Sequence, residues 1–174
     1  MPFTQRTLTE ADAPAASELV HLSFTALAAG DWEPAARAVF LEESSPANMA
    51  RGIASCAYAA GAFDGSRLVG LALMRAPAVL SLLFVHPACT RHGVGRALWE
   101  GARAHVESAH PEVHTVELNA TPNAMAFYRS LGFMPISAEF RLAGCRATRM
   151  ACWLPARSLG AVPECTTPPA RPRR

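Results

Sequence analysis

Hydrophobic and polar positions change their period several times along the chain, and each change marks an element. Phe3 to Leu8 reads as a short strand. Thr9 and Asp12 then make a capping box with Asp in the usual Glu position, opening a first helix whose apolar stretch runs through Leu19, Val20 and Phe24. A second helical region covers Glu33 to Phe40. Ser45-Pro46 supplies an N-cap with proline at the first helical position and starts a third helix toward Ile53. From Cys56 the pattern turns strand-like, with runs at Cys56 to Phe63, Leu68 to Met74 and Val79 to Val85, separated by turns at Asp64-Gly65 and Ala76-Pro77. These three runs predict an antiparallel meander.

Pro87 stops the meander, and from Gly93 onward Val94, Ala97, Leu98 and Gly101 return to helical spacing. Val113 to Asn119 reads as the next strand. A short helix follows, with Thr121 as N-cap, Pro122 at its first position and Gly132 as the left-handed residue that ends it. Glu139 to Trp153 closes with one or two strands. The order predicts α/β architecture of the α+β type, layered around one sheet. Residues 1–156 form one domain, and 157–174, with four prolines and four arginines, read as a flexible tail.

Composition narrows the function. At 174 residues the chain can bury a core without disulfides, and its five cysteines (Cys56, Cys89, Cys145, Cys152, Cys165) form no CxxC pair, so free thiols are expected. No apolar run reaches the roughly 18 residues of a membrane span, and Met1 to Arg6 does not lead into a signal sequence, so no membrane partner and a cytoplasmic location are expected. All 16 basic residues are arginine, a bias that points to a bacterial source. Lysine-based Schiff-base chemistry and the P-loop lysine are thereby excluded. Of the formal net charge of +2, Arg157, Arg171, Arg173 and Arg174 against Glu164 put +3 in the tail and leave −1 for residues 1–156. No nucleic-acid partner is expected for the folded part. Six histidines show neither HxH nor HExxH spacing, so no metal is expected either.

Two segments carry chemistry. In the first, the strand ending Phe84-Val85-His86-Pro87 feeds the turn Thr90-Arg91-His92-Gly93-Val94-Gly95-Arg96-Ala97. A glycine turn opening a helix offers unpaired N–H groups and the positive end of the helix dipole, which together bind phosphate. A dinucleotide fingerprint would need Gly or Ala where Leu98 stands. In the second segment, Asn119 to Phe133, Ala124, Phe127, Tyr128 and Leu131 share one helical face. Tyr128 stands apart, because a phenol of pKa about 10 is a suitable proton donor to a departing thiolate of pKa about 8.5.

Together these segments resemble the GNAT superfamily of N-acetyltransferases, in which Arg/Gln-x-x-Gly-x-Gly/Ala forms the pyrophosphate turn and Asn-x-x-Ala-x-x-Phe-Tyr-x-x-x-Gly-Phe the distal helix. Gly93 and Gly95 match the first pattern, although its leading position is Thr90 with Arg91 one place later; Asn123, Ala126, Phe127, Tyr128, Gly132 and Phe133 match the second. The resemblance implies a central mixed, mostly antiparallel sheet and acetyl-CoA as cosubstrate. It implies that backbone groups of Phe84 and Val85 hold the pantetheine amides and that Arg91 to Ala97 cradle the pyrophosphate. Asn123 would contact the cofactor arm, Phe127 would pack on it, and Tyr128 would protonate the leaving thiolate after direct attack by a primary amine of a small molecule or peptide.

The base that takes the amine proton is left open among His86, His114, Glu117, Glu33, Glu42 and Glu43. The helices around Asp31 to Ile53 and the strands near Phe140 to Met150 would set acceptor choice. A homodimer is compatible with this reading. The competing class is a non-catalytic acyl-CoA-binding sensor, against which Tyr128 argues.

Overall fold

The computed structural model describes residues 2–155, so the tail expected at 157–174 lies outside the described residues. Strands are β1 (Thr4–Thr7), β2 (Tyr58–Asp64), β3 (Arg67–Ala76), β4 (Val79–Val85), β5 (Thr115–Ala120), β6 (Met134–Pro135), β7 (Phe140–Leu142) and β8 (Cys145–Trp153). Helices are α1 (Ala13–Ser23), α2 (Pro34–Glu43), α3 (Pro46–Ser55), α4 (Val94–Ala109) and α5 (Met125–Ser130). One sheet runs β1-β2-β3-β4-β5-β8-β6, with β7 paired to β8. Every pairing is antiparallel except that of β4 with β5. Among the described residues no helix is long and apolar enough to cross a membrane.

Local chemistry accounts for most boundaries. Asp12 accepts from the Thr9 backbone N–H at 2.8 Å and from the Thr9 hydroxyl at 3.0 Å, and pairs with Arg6 at 2.7 Å. Hydrogen bonds from Arg6 and Thr9 hold the Asp12 carboxyl well below the usual carboxylate range. Ser45 caps α3 through its backbone alone, its carbonyl accepting from Met49 N–H at 2.8 Å, while Pro46 fills the first position. At the end of α5, Gly132 takes φ +94°. Phe133 N–H then donates to Tyr128 O at 3.1 Å and Gly132 N–H to Arg129 O at 3.0 Å, the Schellman closure that glycine makes inexpensive.

Two features were not legible from periodicity. After α1 ends at Ser23, a π-helical turn, Phe24–Ala28, and a 3-10 turn, Ala29–Asp31, carry the chain onward. β6, only two residues long, is too short to show a period.

Helices cover both faces of the sheet. On one face Leu19 and Val20 of α1 and Met49 and Ile53 of α3 pack on Leu71 and Leu73 of β3. On the other, Val94, Leu98, Trp99 and Val106 of α4 pack on Val69, Ala72 and Met74 and meet Leu131 and Phe133 behind α5. Burial of such side chains contributes roughly 1.5–3 kcal/mol each. The close seat of α4 depends on Gly70 in β3, where an added Cβ would lie 2.7 Å from Val94 Cγ1 and 2.9 Å from Leu98 Cδ1. Both neighbours are fully buried. Gly70→Val is expected to cost about 1–3 kcal/mol and lower Tm by roughly 5 °C. An unchanged melting curve would show that α4 does not sit this tightly on the sheet.

Candidate active site

β4 and β5 run parallel but share a single register pair, Val79 with Glu117, reinforced by Glu117 N–H donating to Ala78 O at 2.8 Å. Beyond it the strands part. β5 pairs with β8 along its whole length, and β4 stays paired with β3 up to Val85. The gap therefore widens toward the C-terminal ends of β4 and β5, where each strand turns into a helix. In parallel units this is where ligands bind.

The register fixes which peptide groups face the gap. His86 N–H donates to Val69 O at 2.9 Å, and Gly70, Leu71 and Ala72 stand opposite Val85, Phe84 and Leu83. Peptide groups alternate sides along a strand. Those of Val85 and Leu83 consequently face the opening, and those of Phe84 turn to β3. Leu83 is a residue that sequence reasoning passed over, because only the register reveals the parity. The Ser23 hydroxyl, at the end of α1, donates to Val85 O at 2.9 Å and takes the place of a strand partner.

At the end of β4 a 3-10 turn, Pro87–Cys89, precedes the glycine turn. Thr90 folds back on it, its hydroxyl donating to Pro87 O at 2.9 Å, so this side chain serves its own turn. Arg91 (φ +61°) and Gly93 (φ +81°) both take left-handed backbone, which swings the chain into α4. The first helical bond is Ala97 N–H to Gly93 O at 3.0 Å. N–H groups of Gly93, Val94, Gly95 and Arg96 precede that bond and point out of the helix start, whereas Ala97 has spent its own. The Arg91 side chain is exposed at the cleft. Arg96 donates to Ser130 O at 3.0 Å, tying α4 to α5, and His92 lies with Nδ1 2.8 Å from Thr90 O. Gly95 is needed for contact: an added Cβ would stand 2.8 Å from Phe127 Cζ and 3.4 Å from Val85 Cγ2.

α5 forms the opposing wall. Phe127 and Tyr128 have ring centroids 5.3 Å apart, and Tyr128 meets Phe133 edge-on at 5.7 Å. Tyr128 lines the cleft, and desolvation pushes its phenol up to about 12. Asn123, expected to contact the cofactor arm, lines the cleft and donates its side-chain amide to Leu27 O in the π-helical turn, while its backbone N–H donates to Asp31 Oδ2 at 3.3 Å. The extension of α1 and the start of α5 are thus clamped together across one end of the cleft.

The cleft measures about 850 Å³ and joins the β4 edge, the glycine turn and Tyr128 in one space. That size falls within the usual range of ligand sites. None of the six side chains weighed as base lines it. His86 is engaged elsewhere, with Nδ1 accepting from Ala88 N–H at 3.2 Å and Nε2 2.6 Å from Arg67 Nη2. Glu33 pairs with Arg141.

The family model described as the acetyltransferase (GNAT) domain matches residues 22–154. No curated protein matches the chain by sequence. Among solved structures it is similar to a GCN5-related N-acetyltransferase from Rhodopseudomonas palustris (TM-score 0.77, 19% identity, 88% of this chain and 97% of that one). It is also similar to the PaiA N-acetyltransferase of Thermoplasma acidophilum in complex with coenzyme A (TM-score 0.75, 20% identity, 88% and 100%). A third is the ribosomal-protein-S18-alanine N-acetyltransferase of Escherichia coli (TM-score 0.64, 20% identity, 92% and 99%).

Burial raises both tyrosines of the chain, Tyr58 and Tyr128, above the ordinary phenol range. A raised phenol keeps its proton as pH climbs, so Tyr128 remains a proton donor throughout the neutral and moderately alkaline range. In a Tyr58→Phe background, phenolate absorbance of the folded protein should show a midpoint near 12. A midpoint near the free-phenol value of about 10 would place Tyr128 in water.

Proposed function

Because the chain belongs to the GNAT family of acetyltransferases, we propose that it transfers the acetyl group of acetyl-CoA to a primary amine of a small molecule or peptide, by direct attack in a ternary complex with Tyr128 as general acid. The observation that carries this reading is the convergence of the open β4 edge, the start of α4 and Tyr128 on one cleft. Bound there, acetyl-CoA supplies an activated acyl carbon and a thiolate leaving group.

This chain's residues divide the work by position. Leu83 and Val85 present peptide groups to a pantetheine arm that adds to β4 as a strand would, with Val85 doing so as the sequence suggested and Leu83 taking the part first given to Phe84. One of their N–H groups polarises the thioester carbonyl. Arg91 to Arg96 wrap the pyrophosphate, chiefly through the backbone from Gly93 on, and Phe127 packs against the arm. Asn123 holds the α5 wall in place through Leu27 and Asp31. The phenol of Tyr128 gives its proton to the departing sulfur; the gap between about 12 and a thiol's lower value opposes full transfer, so the phenol acts by hydrogen-bonding and protonating the sulfur as charge builds on it and the C–S bond breaks. The reading includes a cytoplasmic, bacterial setting and is compatible with a homodimer.

Tyr128→Phe keeps the ring and removes the proton. It is expected to lower kcat by about 10²–10⁴-fold, measured as thiol release, while acetyl-CoA affinity by calorimetry changes less than about twofold. Unaltered turnover would remove Tyr128 from the chemistry. Binding of acetyl-CoA with no turnover by the unaltered protein on a broad amine panel would favour the acyl-CoA-binding module instead.

A further inference from the structure

The half of the cleft away from the glycine turn has a wall of four aromatic side chains, Phe24, Trp32, Phe40 and Phe84. They form a continuous cluster, edge-on or tilted: Phe24 lies 5.3 Å from Trp32 and 4.4 Å from Phe40, Trp32 lies 5.1 Å from Phe40, and Phe40 lies 6.1 Å from Phe84. Exposed Leu27 and Leu142 stand at its rim. Among the described residues, the charged side chains that line the cleft are Arg91 and Arg96, both cationic and both at the α4 end. The Trp32 indole N–H is buried and meets no acceptor in the described protein.

An alkylammonium acceptor would fit this surroundings poorly. Desolvating an ammonium costs several kcal/mol unless a carboxylate or a cage of ring faces receives it. Here the lining offers arginine rather than carboxylate, and the four rings contact one another edge-on or tilted, with centroids 4.4–6.1 Å apart, rather than standing apart around a cation. An aromatic ring, by contrast, gains from each good aromatic contact beyond its area burial.

Resting on the acetyl-transfer reading, we propose that the acceptor is an aniline-type aromatic amine, uncharged at neutral pH, whose ring lies against the aromatic wall at Trp32, Phe40 and Phe84, backed by Phe24. Such an amine arrives with its nitrogen lone pair free, so no side chain has to deprotonate it beforehand. The N–C bond forms as the C–S bond breaks, the electron pair leaves with sulfur, and Tyr128 supplies the proton that completes the thiol. The surplus proton on nitrogen returns through water to the Tyr128 phenolate, and the products are an anilide and free coenzyme A.

The test compares para-methoxyaniline with para-methoxybenzylamine, which carries the same substituted ring on an alkylammonium. The aniline is expected to show at least about tenfold higher kcat/KM near neutral pH and, in the presence of coenzyme A, a larger upward Tm shift. Its kcat/KM should be flat from about pH 6 to about pH 9, whereas an alkylamine rises about tenfold per pH unit as it loses its proton. Phe40→Leu should raise KM for the aniline about tenfold with acetyl-CoA affinity unchanged. If acetyl-CoA binds but the aniline is neither bound nor acetylated, or the benzylamine is preferred, the aromatic-acceptor inference falls and acetyl transfer stands. If acetyl-CoA does not bind and no amine releases thiol, the underlying reading falls and takes the inference with it.

Discussion

The divergence of β4 from β5 is the constraint on which the site depends. After one register pair at Val79 and Glu117, two parallel strands stop sharing hydrogen bonds, and the peptide groups of Leu83 and Val85 lose the neighbour that a continuous sheet would give them. A buried peptide group without a partner costs about 1–3 kcal/mol, so an edge opened inside a sheet is a standing demand for water or for a ligand shaped like a strand. The fold meets part of that demand itself. Ser23 satisfies the Val85 carbonyl, and full-length pairing of β5 to β8 holds the far side of the gap away.

Everything else at the cleft is arranged around that opening. Both strands lead directly into helices, so two helix starts converge at the wide end, and left-handed backbone at Arg91 and Gly93 turns the α4 start toward it. Gly70 and Gly95 let α4 approach the sheet and Phe127 closely enough to keep the N–H groups at the gap. At the other end, the π-helical turn after α1 would be a loose extension without Asn123, whose bonds to Leu27 and Asp31 clamp it to α5. π-turns are locally less stable than α-helix and recur at functional sites, consistent with this placement.

Much of the architecture could be read before any coordinates. The capping box at Thr9, the proline starts of α3 and of the Pro122 turn, and the left-handed Gly132 are local signals, and each governs a boundary where it stands. The mixed, mostly antiparallel sheet and the GNAT family followed from two motifs. What stayed hidden was non-local. The parity that turns Leu83 rather than Phe84 to the gap depends on β3 register, the Asn123 clamp joins residues 96 positions apart, and the aromatic wall draws on the π-helical turn after α1, on α2 and on β4 together. Of the side chains that looked available as bases, His86 is engaged by Ala88 and Arg67 and Glu33 by Arg141, which spacing cannot show.

The proposed seat of the thioester-bearing arm is the opened edge of β4, where it would add as a strand. Amide hydrogen exchange read residue by residue, with and without saturating acetyl-CoA, tests it most directly. Leu83 and Val85 amides are expected to slow by about tenfold or more while Phe84, already facing β3, changes little. Saturated binding that leaves Leu83 and Val85 exchanging as fast as in the free protein would contradict it.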